Sequence, residues 1–156
     1  MQKITLLVTG KLKESFWREA EAEYLKRLQA FVKFEIIELR EESFTEKDKP
    51  ETVKEKEAKK IIEQLEKNKS DYLIVMDSTG KQFSSTQLAN HSIFKSFNHL
   101  IFVIGGPLGL DHSILQRANL ALSLSSLTFT HQMARVILEE QIYRAFMIKT
   151  GRKYHY

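Results

Sequence analysis

The sequence predicts an α/β protein with a mostly parallel sheet and helices on both faces. Short apolar runs alternate with segments whose apolar residues recur at helical spacing, which is the pattern of βαβ units. The run from residue 71 to 77 is almost wholly apolar, as expected of a central strand buried on both faces. No linker or repeat divides the 156 residues, so we expect a single domain over residues 1–156.

The first half of the chain predicts a strand, a helix, a strand, a polar loop and a second helix. The expected bounds are Lys3 to Thr9, Ser15 to Ala30, Lys33 to Leu39, residues 40–52 and Thr52 to about Lys67. Gly10 ends the first strand, and the alternation of apolar and polar residues defines the second. Thr52 and Glu55 have the spacing of a capping box, so the second helix is expected to begin there.

The second half predicts three further strand-like runs and three helices. The strand-like runs are Asp71 to Asp77, Leu100 to Ile104 and Leu120 to Phe129, with turns at Asp77 to Lys81 and at Gly105 to Gly109. The first helix follows a capping box of Ser84 and Gln87 and carries Leu88 to Phe97. The second is a short helix capped by Asp111, and the third extends from His131 to Ile148.

The last helix is apolar on more than one face. It should cover the sheet on one side and another surface, naturally a partner subunit, on the other. His131 at its start is expected to cap the helix or to pack against it. Glu139 and Glu140 are expected to form a solvated or inter-subunit pair.

Composition excludes several classes of protein. There is no long uncharged apolar segment, so no membrane-spanning helix is expected, and the first residues look like a strand rather than a signal peptide. The absence of cysteine excludes disulfides, thiolate zinc sites and cysteine nucleophiles, which fits a cytoplasmic protein. No metal-ligand spacing occurs, so no metal is expected. No membrane is expected as a partner either, because no long apolar segment is present.

The glycine-rich turn from Gly105 to Gly109 is the sharpest local feature. Glycine lets the backbone approach a ligand closely, but a tight turn between a strand and a helix also needs glycine for its geometry alone. Both interpretations remain open on spacing. The turn is neither G-x-G-x-x-G nor a P-loop, which disfavours a Rossmann-like NAD enzyme and a nucleoside triphosphate site.

Two further stretches suggest binding. Hydroxyl and apolar side chains alternate from residue 122 to 130, which suits an adenine-like ring, although an edge strand with one polar face explains the pattern equally well. The C-terminus combines basic and aromatic side chains; Arg144, Lys149, Arg152 and Lys153 occur there without an acid, in a chain of formal net charge +4. Cations bind phosphates and aromatic rings stack on unpaired bases, whereas the simpler alternative is a frayed basic terminus.

The motifs FVIGGPLGL and LSLSSLTFTHQMARVILEEQIYRAF, followed by the closing YHY, resemble the RlmH-type (YbeA-like) rRNA methyltransferases of the SPOUT superfamily. The resemblance extends over the whole chain. It implies the α/β trefoil-knot fold, a cytoplasmic homodimer, and transfer of a methyl group from S-adenosylmethionine to N3 of a pseudouridine in 23S rRNA of the large ribosomal subunit.

The resemblance also implies the residues of the site. The cofactor would be bound by Met76, Gly105, Gly106, Ser125, Ser126, Leu127, Thr128, Phe129 and Thr130. Two positions depart from the family, which usually has leucine in place of Met76 and Pro-His in place of Thr130-His131. The first change keeps an apolar side chain of similar volume, and the second removes a rigid residue at the end of the loop.

The expected chemistry involves the C-terminus. N3 of the base carries a proton that must leave as the new bond forms, and a nearby cation would stabilise the anion that develops. Arg144 and His155 are the candidates for this electrostatic role or for a general base, and Tyr154 for stacking on or orienting the base. The tail is expected to reach the cofactor site of the partner subunit. The alternative function is a non-catalytic, ribosome-associated RNA-binding protein that uses the same basic tail.

Overall fold

A computed structural model describes residues 1–156. Five strands form one sheet in which every neighbouring pair is parallel. They are β1 (Lys3–Thr9), β2 (Lys33–Leu39), β3 (Tyr72–Gln82), β4 (His99–Ile104) and β5 (Leu120–Ser123), and their order across the sheet is β2-β1-β4-β3-β5. This arrangement confirms the predicted α/β class and its parallel sheet.

Six helices connect and cover the strands. They are α1 (Ser15–Leu28), α2 (Pro50–Lys67), α3 (Ser85–Asn90), α4 (Ile93–Ser96), α5 (His112–Arg117) and α6 (His131–Lys149). The capping box of Ser84 and Gln87 is present at α3, and the carboxylate of Asp111 caps α5, as predicted.

The helices lie on both faces of the sheet, and each face has its own core. Alternate residues of a strand point to opposite faces, so Leu6 in β1 joins a cluster of 20 buried residues while its neighbour Leu7 joins a second cluster of nine. The larger cluster includes side chains of α1, α3, α4 and α6. The smaller one includes Ala58 and Ile61 of α2 and Ile114 of α5. The predicted covering of both faces is therefore confirmed.

Two helix boundaries differ from the prediction. The second helix begins at Pro50, two residues before the expected start, and its N-cap residue Lys49 makes no side-chain capping bond. The capping box at Thr52 and Glu55 was therefore wrong, because proline fits the first turn of a helix, where its missing N–H is not needed. The first helix ends at Leu28 rather than Ala30.

The segment after Ser84 forms two short helices instead of one. His91 has extended backbone angles, and its ring Nδ1 accepts the N–H of Ile93 over 3.3 Å. This local hydrogen bond replaces a helical one and breaks the helix.

The predicted turn from Asp77 to Lys81 lies inside β3. The pairing of β3 with β5 is interrupted after Met76 and resumes at Lys81, so the residues between them bulge out of the ladder. The predicted strand-like run from Leu120 to Phe129 is shorter in the structure, since β5 ends at Ser123. Its remaining residues form a loop because the Ser123 hydroxyl donates to the carbonyl of Ser125, which turns the chain.

Candidate active site

A cleft of about 790 Å³ opens at the carboxyl ends of β3, β4 and β5, beside the first turn of α6. Its walls are the turn that follows β4, the end of the regular part of β3 and the loop that joins β5 to α6. Open α/β proteins bind small molecules at this edge of the sheet, in clefts of this size. The lining combines apolar side chains, glycine backbone and hydroxyl groups, which suits a ligand that has both an apolar ring and polar groups.

The turn after β4 contributes three glycines to the lining of the cleft. Gly109 has a φ of 84°, which favours glycine, and its N–H donates to the carbonyl of Gly106 over 3.0 Å. A Cβ on Gly105 would lie 2.9 Å from the side chain of Leu110, and one on Gly106 would lie 3.1 Å from a carboxylate oxygen of Glu57. The geometry of this turn therefore needs glycine, and the turn also lines the cleft, so its role in binding a ligand stays a prediction.

The loop between β5 and α6 forms the opposite wall. The N–H of Leu127 donates to the hydroxyl of Ser125 over 3.0 Å, and this turn leaves the Leu127 side chain 72% exposed. At the end of the loop, the hydroxyl of Thr130 accepts the N–H of Met133 and so caps α6. Local hydrogen bonds thus hold this loop near both of its ends, with threonine rather than proline at position 130.

Nearly all of the predicted cofactor residues lie around this cleft. Met76, Gly105, Gly106, Ser125, Leu127, Thr128, Phe129 and Thr130 line it, and Ser126 is exposed outside its lining.

Two ionisable residues that the sequence did not single out for this site also line the cleft, Asp77 and His131. Nε2 of His131 is buried without a hydrogen-bond partner, and burial lowers the pKa of its imidazole, so the ring is neutral at neutral pH. His131 does not cap α6, since Thr130 does, and it packs against the wall. The position of Asp77 directly after a buried strand was the available signal for that residue, because such positions lie at the ligand-binding edge.

The three predicted catalytic residues form a second group, at the far end of α6. Nη1 of Arg144 lies 3.2 Å from Nδ1 of His155, and its guanidinium lies 4.7 Å from the centre of the Tyr154 ring. The Tyr154 ring also packs edge-on against Tyr143 at 4.9 Å. The end of the chain therefore folds back onto α6, contrary to the alternative of a frayed terminus.

Glu140 organises this C-terminal group. Its Oε1 accepts Nε and Nη2 of Arg144 at 3.0 and 2.5 Å and the Tyr154 hydroxyl at 3.1 Å. The Glu140 carboxylate raises the pKa of Arg144, and burial, with the same carboxylate, raises the pKa of Tyr154 to about 12. Tyr154 is therefore a hydrogen-bond donor at neutral pH. The spacing of Glu140 and Arg144, four residues apart on a helix, was the signal that could have identified this pair.

The C-terminal group and the cleft do not meet within one chain. None of Arg144, Tyr154 and His155 lines the cleft. The rise of an α-helix places Arg144 about 20 Å along the axis from His131. A site that uses both groups is therefore not formed within one chain in this structure.

A third group of charges lies inside the protein, between α1, β2 and α6. Arg135 is 4% exposed and binds Glu21 through Nε and Nη2, at 2.5 and 2.9 Å, and Glu38 through Nη1, at 2.6 Å. Glu139 is fully buried beside this group and its carboxylate has no hydrogen-bond partner. The expectation of a solvated or inter-subunit role was therefore wrong for Glu139. Burial, together with the nearby Glu21, raises the pKa of Glu139 to about 10.

No helix has the length and apolar content needed to cross a bilayer. No group of three or more histidine or acidic side chains is arranged to hold a metal ion.

Comparison with known proteins gives one family and a set of similar folds. A family model described as predicted SPOUT methyltransferase matches residues 2–155. A probable methylase family protein from Haemophilus influenzae Rd KW20 is similar over 99% of this chain and 70% of its own, with 14% identity and a TM-score of 0.59. A putative methyltransferase from Legionella pneumophila, solved in complex with the bound cofactor SAM, is similar over 93% of this chain and 66% of its own, with 15% identity and a TM-score of 0.52. At these identities the structural matches show a shared fold.

Proposed function

Because the chain belongs to the SPOUT methyltransferase family, we propose that it transfers a methyl group from S-adenosylmethionine to N3 of a pseudouridine in 23S rRNA. The observation that carries the proposal is the pair of groups at the two ends of α6. One is a cleft that fits the cofactor, and the other is a basic aromatic group that fits a nucleotide. Family membership supports methyl transfer, and the resemblance of the closing motif supports the RNA substrate.

The cleft fits S-adenosylmethionine in size and chemistry. Met76, Leu122 and Leu127 offer apolar surface for an adenine ring, and the glycine turn offers backbone groups for hydrogen bonds. The putative methyltransferase from Legionella pneumophila, which has the same fold, binds this cofactor. We therefore assign cofactor binding to the cleft and to the residues predicted for it.

The C-terminal group supplies the remaining functions. S-adenosylmethionine, when bound, supplies a methyl group that its sulfonium sulfur has already activated. Arg144 stabilises the anion that forms on the base as the N3 proton leaves, because its guanidinium stays positively charged. Tyr154 orients the base through its phenol or its ring face.

The contact with Arg144 constrains the role of His155. A guanidinium only donates hydrogen bonds, so Nδ1 of His155 is the acceptor and the proton of the neutral ring lies on Nε2. Nδ1 must leave Arg144 before it takes the N3 proton. Because a guanidinium cannot take up a proton, we assign the electrostatic role to Arg144 and the role of general base to His155.

The distance between the two groups supports a homodimer. A homodimer places the C-terminal group of one copy at the cleft of the other, and residues 1–156 act as one domain within it. The proposal includes the trefoil knot and the cytoplasmic location that the family resemblance implies. The substrate is the rRNA of the large subunit, presented by the ribosome.

The decisive experiment measures methyl transfer from labelled S-adenosylmethionine to ribosomes that lack the modification, with mass spectrometry of the rRNA. We expect Arg144→Ala to lower the rate by about 100-fold or more, as for the loss of a group that stabilises transition-state charge. Cofactor binding measured by calorimetry should stay unchanged. Arg117→Ala is the matched control, because Arg117 is an exposed arginine on α5 that makes no ion pair.

Two results would contradict the proposal. Full transfer activity in both Arg144→Ala and His155→Ala would remove the C-terminal group from the reaction. Absence of any heat with S-adenosylmethionine, in a wild-type protein that still binds ribosomes, would favour the non-catalytic RNA-binding function.

A further inference from the structure

Asp77 contributes the only carboxylate among the side chains that line the cleft. It takes part in none of the protein's ion pairs. Its Oδ2 accepts the N–H of Thr79 at 3.1 Å and also the Thr79 hydroxyl. Its Oδ1 has no partner in the protein, so one oxygen of a charged group is left for a ligand.

The backbone around Asp77 fixes the position of this carboxylate. Residues 77–80 form the bulge of β3, and the bulge packs closely on the backbone of β5. A Cβ on Gly80 would lie 2.7 Å from the carbonyl carbon and oxygen of Ala121, so the two backbones are in direct contact there. The two hydrogen bonds from Thr79 then hold the carboxylate relative to that bulge. Asp77 is therefore a preorganised group rather than a mobile surface acid.

We propose that the carboxylate of Asp77 binds a positively charged group of the cofactor in this cleft. The inference rests on the proposed function, since it requires S-adenosylmethionine to bind in this cleft. That cofactor carries two positive groups, a sulfonium and an ammonium, and one carboxylate. A carboxylate with a free oxygen, in a concave site whose other lining side chains are uncharged, attracts a cation and binds it by a charge-assisted contact.

The competing explanation is that Asp77 only shapes the turn. Asp77→Asn separates the two roles, because an asparagine oxygen accepts the same hydrogen bonds from Thr79 while the negative charge is lost. Thr79→Val is the matched control, since it removes one hydrogen bond of the turn and keeps the charge. A melting temperature for each variant shows whether the fold is kept.

Calorimetry with three compounds tests the proposal. S-adenosylmethionine carries both positive groups, S-adenosylhomocysteine carries only the ammonium, and methylthioadenosine carries neither. We expect Asp77→Asn to weaken S-adenosylmethionine binding by about tenfold, the size of one charge-assisted hydrogen bond, and to leave methylthioadenosine within about twofold of wild type. A loss shared by S-adenosylhomocysteine assigns Asp77 to the ammonium, and a loss confined to S-adenosylmethionine assigns it to the sulfonium.

A measurement on the wild-type protein supports the same test if the variant does not fold. S-adenosylmethionine binding should weaken as salt is raised while methylthioadenosine binding should not, because salt screens only the charged contact. Equal losses for all three compounds in Asp77→Asn, no loss for any of them, or salt-independent binding of S-adenosylmethionine would overturn the inference. If wild type binds none of the three compounds, the proposed function itself fails, which is a different result from a variant that binds like wild type.

Discussion

At the residue scale, the charges inside the protein are unevenly matched. The guanidinium of Arg135 donates its hydrogen bonds to Glu21 and Glu38. The buried Glu139 therefore has no close cation, since its Oε1 lies 3.8 Å from Nε of Arg135. A buried carboxyl without a partner stays protonated, since ionisation in an apolar environment is costly. Glu139 is therefore neutral in the folded protein at neutral pH, as its pKa of about 10 indicates.

Replacing Glu139 by glutamine should stabilise the protein at alkaline pH. Between its ordinary pKa of 4.5 and the folded value of about 10, the folded state holds a proton that the unfolded chain releases. The free energy of unfolding therefore falls as the pH rises through this range. We expect Glu139→Gln to remove that slope and to gain on the order of 2 kcal/mol near pH 8.

Urea unfolding of both proteins at pH 5 and pH 8 measures this effect. Glu63→Gln is the control, because Glu63 is an exposed acid on α2. A Glu139→Gln variant that is less stable than wild type at pH 8 would show that the carboxyl makes a favourable contact in the folded state.

The residues that were predicted and those that were missed differ in one physical respect. The glycine turn and the loop to Thr130 are contiguous in sequence, so their chemistry is visible before folding. The group at Arg135 is assembled from α1, β2 and α6, and no local pattern shows that these three elements place their charges at one point. Asp77 is an intermediate case, because its position after a buried strand is visible in the sequence, whereas its place beside β5 depends on which strands are neighbours.

At the element scale, α6 is the part that connects the functional groups. Its first turn lines the cleft, its middle buries Arg135 and Glu139, and its last turns carry Arg144. It also packs against α1 and α3. The position of α6 therefore controls both ends of the proposed site.

Loss of the α3 cap should destabilise the protein without touching the cleft. The Ser84 hydroxyl accepts the N–H of Gln87, and the Gln87 side chain accepts the N–H of Ser84. We expect Ser84→Ala to lower the free energy of unfolding by about 1 kcal/mol. Chemical denaturation measures the loss, and calorimetry with S-adenosylmethionine should give the wild-type affinity. An unchanged unfolding midpoint would mean that α3 is held by its packing alone.

Element types followed from the sequence more reliably than element ends. Periodicity identified every strand and the long helices, because burial of one face imposes the period. The ends depend on single hydrogen bonds and on the neighbours in the sheet. The helix α2 begins at Pro50 rather than at the predicted Thr52. The strand β3 continues through the predicted turn at Asp77 to Lys81, because its pairing with β5 resumes at Lys81.

At the scale of the whole molecule, the proposed site is complete only in a pair of chains. Two variants should therefore rescue each other. Thr128→Trp fills the cleft from an exposed position, and Arg144→Ala removes the cation from the C-terminal group. Each variant alone should be inactive, whereas a mixed dimer has one site made of an intact cleft and an intact C-terminal group.

The measurement is methyl transfer after the two variants are mixed, briefly unfolded and refolded together. Recovered activity is the expected result. The control is a mixture in which one chain carries both substitutions and the other is Arg144→Ala, since no arrangement of those chains gives a complete site. Activity in either single variant, or none in the mixture of dimers, would contradict a composite site.

The edges of the sheet limit how copies of this protein can associate. Exposed strand edges are templates for aggregation through backbone pairing. One edge here is β5, which has only four residues, and the other is β2, which carries Lys33, Glu35 and Glu38. Short or charged edges resist the addition of a further strand. Self-association through a continuous intermolecular sheet, the route to fibres, is therefore disfavoured, which leaves the helical faces as the surfaces for the proposed dimer.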